Sequence, residues 1–119
     1  MEVRSVSRPP LLRGQRGLFA TRAWKAGEVL GEYEGEIVLF ADVADTSYTV
    51  GINADGWMGY GVDGKRLGNR TRFINHYGGG VADGPNCRYD SSRAPRVDVV
   101  IVVDVNPGDQ FVADYGYEF

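Results

Sequence analysis

The residues of this chain that could do chemistry are one histidine, one cysteine and seven tyrosines. His76 has no second histidine or cysteine pair with which to share a metal ion, and no serine or cysteine partner for acyl transfer is evident. Cys87 stands alone, and a lone free cysteine is most often a small buried apolar side chain. We therefore expect no metal site, no disulfide and no nucleophilic cysteine, and the tyrosines become the side chains of interest.

One glycine pattern matches a known motif without its usual context. The stretch Gly59–Gly64 has glycines at its first, third and sixth positions, as the dinucleotide-binding fingerprint does. That fingerprint lies between a buried strand and a helix, whereas the bulky Trp57 and Met58 come directly before this stretch. A β-hairpin is the simpler interpretation, in which Gly56 or Gly59 supplies the positive φ of the turn.

Four short segments carry more information together than any single residue does. In chain order they are Gly14 to Ala20, Glu32 to Glu36, Arg72 to His76 with the downstream Pro85-Asn86-Cys87, and Asp114-Tyr115-Gly116. They resemble, in the same order, the four signatures of the SET-domain lysine methyltransferases. Tyr48 and Val62-Asp63 also match the spacing of that family, so the resemblance runs over about residues 14–119. Because 119 residues are near the usual size of one domain, we expect residues 1–119 to form a single SET-like domain.

The activity that this resemblance implies is transfer of a methyl group from S-adenosylmethionine to the side-chain amine of a lysine. The attacking amine must be neutral, and a free lysine with a pKa near 10.4 is uncharged in about one molecule in a thousand or fewer at pH 7. A narrow aromatic tunnel disfavours the ammonium form by desolvation, and the positive sulfonium acts in the same direction. Tyrosines suit such a tunnel because their hydroxyls can also orient the amine.

The resemblance implies roles for individual residues. Tyr115 resembles the catalytic tyrosine of the family, and Tyr33 resembles a second tyrosine that contacts the substrate amine, with Tyr48 and Tyr117 beside them in the lysine channel. The cofactor site would be formed by Tyr115 together with residues of the first and third signatures, namely Gly14, Arg16, Gly17, Arg72, Asn75 and His76. Considered alone, a tyrosine in a β domain is more often a half-buried strand residue than a catalyst.

Two positions bear on how many methyl groups the pocket can accommodate. Ala113 lies two residues before Tyr115, where some members of the family control this number. Tyr89 lies shortly after Pro85-Asn86, where other members place a tyrosine whose hydroxyl fills the space that extra methyl groups need. We therefore expect mono- or dimethylation rather than trimethylation.

The sequence departs from the family pattern at three points. Asn75-His76 is followed by Tyr77 instead of the usual serine, and a longer glycine-rich loop leads to Pro85. The first signature carries one extra residue between its glycines. The sequence reaches Phe119 without the cysteine-rich segment that many relatives fold over the lysine channel. The aromatic C-terminal tail, the bound peptide or a second subunit of a homodimer would then close it, and a sequence cut short from a longer protein would end in the same way.

The elements that position these residues must be short, because 17 glycines and 5 prolines are spread along the chain. Strands are predicted over residues 17–22, 29–38, 48–52 and 97–105, the last of which has five β-branched residues on one face and belongs in the core. Only residues 66–74 have helical spacing, enough for a single 3₁₀ or α turn. We predict an α+β, mostly β fold of several small curved antiparallel sheets, with the knot-like C-terminal threading that the resemblance implies.

Composition and charge limit the partners. The chain has 119 residues, 43% of them hydrophobic, and no stretch reaches the roughly 20 apolar residues of a membrane span. Its N-terminus lacks the apolar centre of a signal peptide, so we expect a nuclear or cytoplasmic protein that is not secreted. The segment between Lys25 and Lys65, called the acidic segment here, has no basic residue and eight carboxylates: Glu28, Glu32, Glu34, Glu36, Asp42, Asp45, Asp55 and Asp63.

The acidic segment suits a basic peptide such as a histone tail and disfavours nucleic acid, although a merely solvated acidic face explains the charge equally well. An alternative from another functional class is therefore a catalytically silent SET-like module that binds basic peptides. Retention of Tyr33, Asn75, His76 and Tyr115 favours the enzyme, because a binding module has no need of the whole set.

Overall fold

The structure is a computed structural model that describes residues 1–5, 16–77 and 84–114. Within these ranges the strands are β1 (Glu2–Ser5), β2 (Arg16–Phe19), β3 (Val29–Glu32), β4 (Glu36–Leu39), β5 (Thr49–Gly51), β6 (Tyr60–Asp63), β7 (Asn75–His76), β8 (Cys87–Asp90), β9 (Asp98–Ile101) and β10 (Val112–Ala113). Two 3₁₀ helices, Phe40–Asp42 and Arg70–Phe73, complete the described elements, and neither is long enough to cross a bilayer.

The strands form three small sheets. β1 pairs with β2, β6 lies between β4 and β5, and a five-stranded sheet has the order β3-β9-β8-β10-β7. The pairs are antiparallel except for β10, which runs parallel to both β7 and β8. The predicted fold class, mostly β with several small antiparallel sheets, is therefore confirmed. The knot-like threading involves residues outside the described ranges and stays a prediction.

The core lies around β9. Val97, Val99, Ile101 and Val105 are buried, as the alternation of residues 97–105 predicts. The strand is shorter than predicted, because it ends at Ile101 and Val103 is 52% exposed. After Ile101 the chain turns, the Asp104 carboxylate accepts a hydrogen bond from the Ala26 amide, and Val105 pairs with Trp24 in an isolated bridge. The prediction was right about the core face and wrong about the strand length.

The predicted single extended segment over residues 29–38 is in fact two strands in different sheets. β3 ends at Glu32, and the Tyr33 amide then donates to the Val97 carbonyl at 2.8 Å. At Gly35 the backbone passes against the β6 end so closely that an added Cβ would lie 2.3 Å from the Asp63 carbonyl oxygen. This close approach requires glycine and turns the chain from one sheet into the other.

Other expectations meet mixed outcomes. The Gly59–Gly64 stretch contains β6, the central strand of its sheet, and no helix begins directly after it, as a dinucleotide site would need. Gly56 and Gly59 have positive φ, as the hairpin interpretation predicts. The helical spacing of residues 66–74 produces only the four-residue Arg70–Phe73 helix, capped by the Asn69 side chain. β1 was not foreseen.

We predict that Gly35→Ala lowers the free energy of unfolding by at least about 2 kcal/mol, because its Cβ would collide with backbone atoms that cannot move aside cheaply. Gly84→Ala is the matched control, since an added Cβ there meets no atom within 4 Å, and its effect should stay within about 0.5 kcal/mol. Urea denaturation of both variants checks this, and equal stabilities would contradict the proposed close approach at Gly35.

Candidate active site

The carboxamide of Asn75 joins the first and third signature segments. Asn75 lies in β7, opposite Val112 of β10. Its Nδ2 donates one hydrogen bond to the Arg16 carbonyl oxygen at 3.1 Å and another to Gln110 Oε1 at 2.8 Å. Arg16 and Gln110, which are 59 and 35 residues from Asn75 in sequence, are thereby bound to one side chain.

A second carboxamide, that of Asn86, fixes the strand that leads to the fourth signature. Asn86 Nδ2 donates to the Gln110 carbonyl oxygen at 2.9 Å, and Asn86 Oδ1 accepts from the Val112 amide at 2.8 Å. The Asn86 backbone amide also donates to the Val112 carbonyl oxygen at 3.0 Å. β10 has only two residues, so these bonds supply much of what holds it between β7 and β8.

Three of the predicted channel tyrosines meet at the end of β3. Tyr33 is 3% exposed, and its hydroxyl donates a 2.5 Å hydrogen bond to the carbonyl oxygen of Tyr48. The Tyr33 ring packs edge-to-face against the ring of Tyr89, with centroids 5.8 Å apart. Sequence reasoning placed all three in one channel, and the structure brings them into contact.

Phe73 connects this tyrosine cluster to the asparagine site. Its ring packs edge-to-face against Tyr48 with centroids 6.5 Å apart, and the guanidinium of Arg72 lies 4.9 Å from the Phe73 centroid and 5.7 Å from that of Tyr48. The Arg16 guanidinium lies 6.0 Å from the same Phe73 ring, and the Arg16 carbonyl binds Asn75. An unbroken series of contacts therefore runs from Tyr33 to Asn75.

The remaining predicted site residues have varied positions. His76 pairs with Ala113 in the sheet, and its ring centroid lies 4.9 Å from that of Tyr77. Ala113 is buried between β7 and β8, and Gly17 is buried in β2 opposite Arg4. Gly14, Tyr115 and Tyr117 lie outside the described residues.

Half of the acidic segment is already neutralised by basic side chains from outside it. Ion pairs join Glu28 to Arg22, Glu32 to Arg96, Glu36 to Arg66 and Asp45 to Lys65. The hydrogen bonds of Asp45 with Ser47 and Lys65 hold the pKa of its carboxyl well below the usual range. The attraction for a basic peptide is therefore weaker than the count of eight carboxylates implies.

Asp98 forms a buried ionic cluster that sequence reasoning missed. It is 3% exposed in β9, and its two oxygens accept from Arg96 Nε at 2.7 Å and Arg93 Nη2 at 2.9 Å, while Arg96 also reaches Glu32 at 3.5 Å. Burial raises the pKa of Asp98, but the hydrogen bonds and charges of the two arginines outweigh it and lower the pKa overall. A lone carboxylate inside an apolar run was the available signal, because a buried charge needs partners.

Cys87 is buried at 1% exposure, as predicted, and burial raises the pKa of its thiol to about 12. A thiol of this kind is almost entirely protonated near neutral pH and is a poor nucleophile. Among residues 1–5, 16–77 and 84–114, no group of three or more histidine, cysteine or acidic side chains could hold a metal ion.

We predict that Asp98→Asn lowers the free energy of unfolding at pH 7 by about 2 kcal/mol, since charged hydrogen bonds to both arginines are lost. Because folding lowers the pKa of Asp98, its stabilisation is present at neutral pH and disappears as the pH falls through about 4 and below. Denaturation from pH 7 to 3 should therefore show a flatter profile for the variant. Glu36→Gln is the control, because Glu36 is only partly buried and its ion pair lies at the surface, so stability should change little. A parallel shift of the Asp98→Asn profile at every pH would contradict the assignment.

Comparison with known proteins identifies the family of this chain. Residues 15–116 match the sequence model of the SET domain family. N-lysine methyltransferase KMT5A of Xenopus tropicalis is 29% identical over an alignment of 115 residues that covers 85% of this chain and 33% of the relative. N-lysine methyltransferase KMT5A-A of Xenopus laevis is similar to the same degree, so the chain spans about a third of the length of these curated relatives. Because this family model matches most of the chain, the chain belongs to the SET domain family.

Proposed function

We propose that this chain is an S-adenosylmethionine-dependent protein lysine N-methyltransferase. The observation that carries the proposal is the unbroken series of contacts from the buried Tyr33 through Tyr48, Phe73 and Arg16 to Asn75. It supports the proposal because tyrosines that could receive an amine are connected by contacts to residues that could hold a cofactor. Membership of the SET domain family and the names of the two lysine methyltransferase relatives support it.

The chemistry of Asn75 fits the cationic amine of the cofactor. Both hydrogens of its carboxamide nitrogen have acceptors, so its oxygen is the group that it can offer to a ligand. Asn75 would hold the cofactor together with His76, Arg72 and the first signature residues Gly14, Arg16 and Gly17. When bound, S-adenosylmethionine supplies an electrophilic methyl group on a positively charged sulfur.

Tyr33 is suited to bind the substrate amine in its neutral form. Its hydroxyl proton is directed at the Tyr48 carbonyl, so the phenol oxygen can accept a hydrogen bond from the amine and orient its lone pair. The rings of Tyr33 and Tyr89 exclude water, and the charge of Arg72 lies beside Tyr48. Desolvation and the neighbouring positive charge both favour loss of the ammonium proton.

Tyr115 is the proposed catalytic tyrosine. It follows β10 after Asp114, and the Asn86 carboxamide and the β7 pairing fix where β10 ends. The phenol of Tyr115 would lie beside the amine and complete the alignment that in-line methyl transfer requires. Tyr117 would line the same channel.

The proposed substrate is a lysine in a basic peptide, with a histone tail as the first candidate. The exposed Glu34, Asp42 and Asp55 of the acidic segment lack ion pairs to the other described residues and could meet basic side chains of the peptide. The alternative remains a silent module that binds such peptides without methylating them. The ion pairs within the acidic segment weaken that alternative, because they reduce the charge on which it would depend.

The deciding experiment incubates the chain with histones and isotopically labelled S-adenosylmethionine and identifies the modified residue by mass spectrometry. Calorimetry with S-adenosylmethionine runs in parallel, because a silent peptide reader should not bind the cofactor. Labelled lysine together with cofactor binding supports the enzyme. Peptide binding without cofactor binding would favour the silent module.

We predict that Tyr33→Phe lowers kcat/KM for peptide methylation at least about tenfold, because the oxygen that orients the amine is lost. Calorimetric affinity for S-adenosylmethionine should change little, since Tyr33 lies at the channel end of the contact series. Tyr60→Phe is the matched control, a half-buried tyrosine that packs on Trp57. An equal loss in both variants would count against the role of Tyr33.

We predict that Tyr89→Phe shifts the product distribution toward more highly methylated lysine. Removal of the hydroxyl opens space for an added methyl group while the ring contact with Tyr33 is kept. Intact-mass analysis of the product peptide over time measures the shift, with Tyr60→Phe again as control. An unchanged distribution would show that Tyr89 does not limit the number of methyl groups.

A further inference from the structure

The orientation of the Asn75 carboxamide is determined by the chemistry of its neighbours. A carbonyl oxygen can only accept, so the atom of Asn75 that faces the Arg16 carbonyl must be Nδ2. The same Nδ2 faces the Gln110 side chain, so Gln110 must present Oε1 rather than its own amide nitrogen. Between the two side-chain amides, Asn75 is therefore the donor and Gln110 the acceptor.

The backbone of Gln110 is held on both of its neighbouring segments, which keeps its side chain next to Asn75. Its carbonyl oxygen accepts from Asn86 Nδ2 at 2.9 Å, and Asn86 cannot be flipped because its Oδ1 must face the Val112 amide. Gln110 also pairs with Phe19 in an antiparallel bridge, and the next residue, Phe111, donates its amide to the Leu18 carbonyl at 2.8 Å. The backbone of Gln110 is thus bound both to Asn86 and to β2.

The consequence for Asn75 is that only the oxygen of its carboxamide can accept a hydrogen bond from a ligand. Both Nδ2 hydrogens are directed at acceptors, while no donor from residues 1–5, 16–77 or 84–114 reaches Oδ1. An amide oxygen in this position attracts a cationic N–H group and repels a carboxylate. If the carboxamide turned over, its oxygen would face two other oxygens, those of Arg16 and Gln110.

We propose that Gln110 is a positioning residue that directs the Asn75 oxygen toward the amine of the cofactor, so that Gln110 controls cofactor affinity without touching the cofactor. This inference rests on the proposed function. The Arg16 carbonyl oxygen disfavours the turned-over orientation of the Asn75 carboxamide, and Gln110 Oε1 disfavours it as well. Loss of the Gln110 acceptor leaves the Asn75 oxygen less strongly directed, and the ligand must then restore its orientation on binding.

The test measures calorimetric affinity of the full chain for S-adenosylhomocysteine and for its deamino analogue, which lacks only the amine. Gln110→Met keeps the length of the side chain and removes the acceptor; Gln110→Glu keeps an acceptor in the same place. We expect Gln110→Met to weaken binding of S-adenosylhomocysteine about fivefold, which corresponds to ~1 kcal/mol at 25 °C. Affinity for the deamino analogue should not change, and Gln110→Glu should bind S-adenosylhomocysteine at least as tightly as the parent chain does.

Several results would overturn the inference. Unchanged affinity of Gln110→Met for S-adenosylhomocysteine would do so, as would an equal loss for both ligands, which would indicate a general structural defect. If Gln110→Met does not fold, Gln110→Lys takes its place, because a lysine also cannot accept from Asn75 and its charge can reach solvent from this half-buried position. If the parent chain does not bind S-adenosylhomocysteine, both the proposed function and this inference are overturned. If the parent chain binds it and Gln110→Met binds it equally well, only the inference about Gln110 is overturned.

Discussion

The parallel pairing of β10 between β7 and β8 is the contact on which the candidate site depends. β10 has two residues, too few for its ladder hydrogen bonds to hold it alone, and the Asn86 carboxamide satisfies backbone groups on either side of Phe111. Residues far apart in sequence then become neighbours, with Val112 opposite Asn75 and Ala113 opposite both His76 and Cys87. The half-buried Asn86 carboxamide can do this because it offers a donor and an acceptor at a fixed spacing.

The tyrosine cluster lies where two sheets part. β3 ends at Glu32, the chain turns at Gly35 into β4, and Tyr33 between them packs inward against Tyr89. Burial of a hydroxyl is unfavourable unless it has a partner, and the Tyr48 carbonyl supplies one. The same hydrogen bond directs the proton of the Tyr33 hydroxyl, so in the proposed function the phenol oxygen would accept from the amine.

The charges of Asp98 and of Arg72 are stabilised by different kinds of neighbours. Asp98 lies in the sheet beside Glu32 and is enclosed by Arg93 and Arg96, so its burial is compensated locally. The guanidinium of Arg72 lies over the rings of Tyr48 and Phe73 and also donates to the Gly64 and Lys65 carbonyls. In the proposed function, this positive charge would favour an uncharged amine.

The sequence by itself determined the family signatures, the β-rich class, the buried face of residues 97–105 and the inert Cys87, because these follow from local patterns and residue types. Only the tertiary structure decided that residues 29–38 divide between two sheets, that β9 stops at Ile101, and that Asp98 is paired with two arginines. The same holds for the contacts of Asn86 and Gln110 that join β10 to Asn75. Those features depend on contacts between segments distant in sequence. A hydrogen-bonding side chain gives no sign of its partner in sequence when that partner is a backbone atom, since every residue carries the same carbonyl.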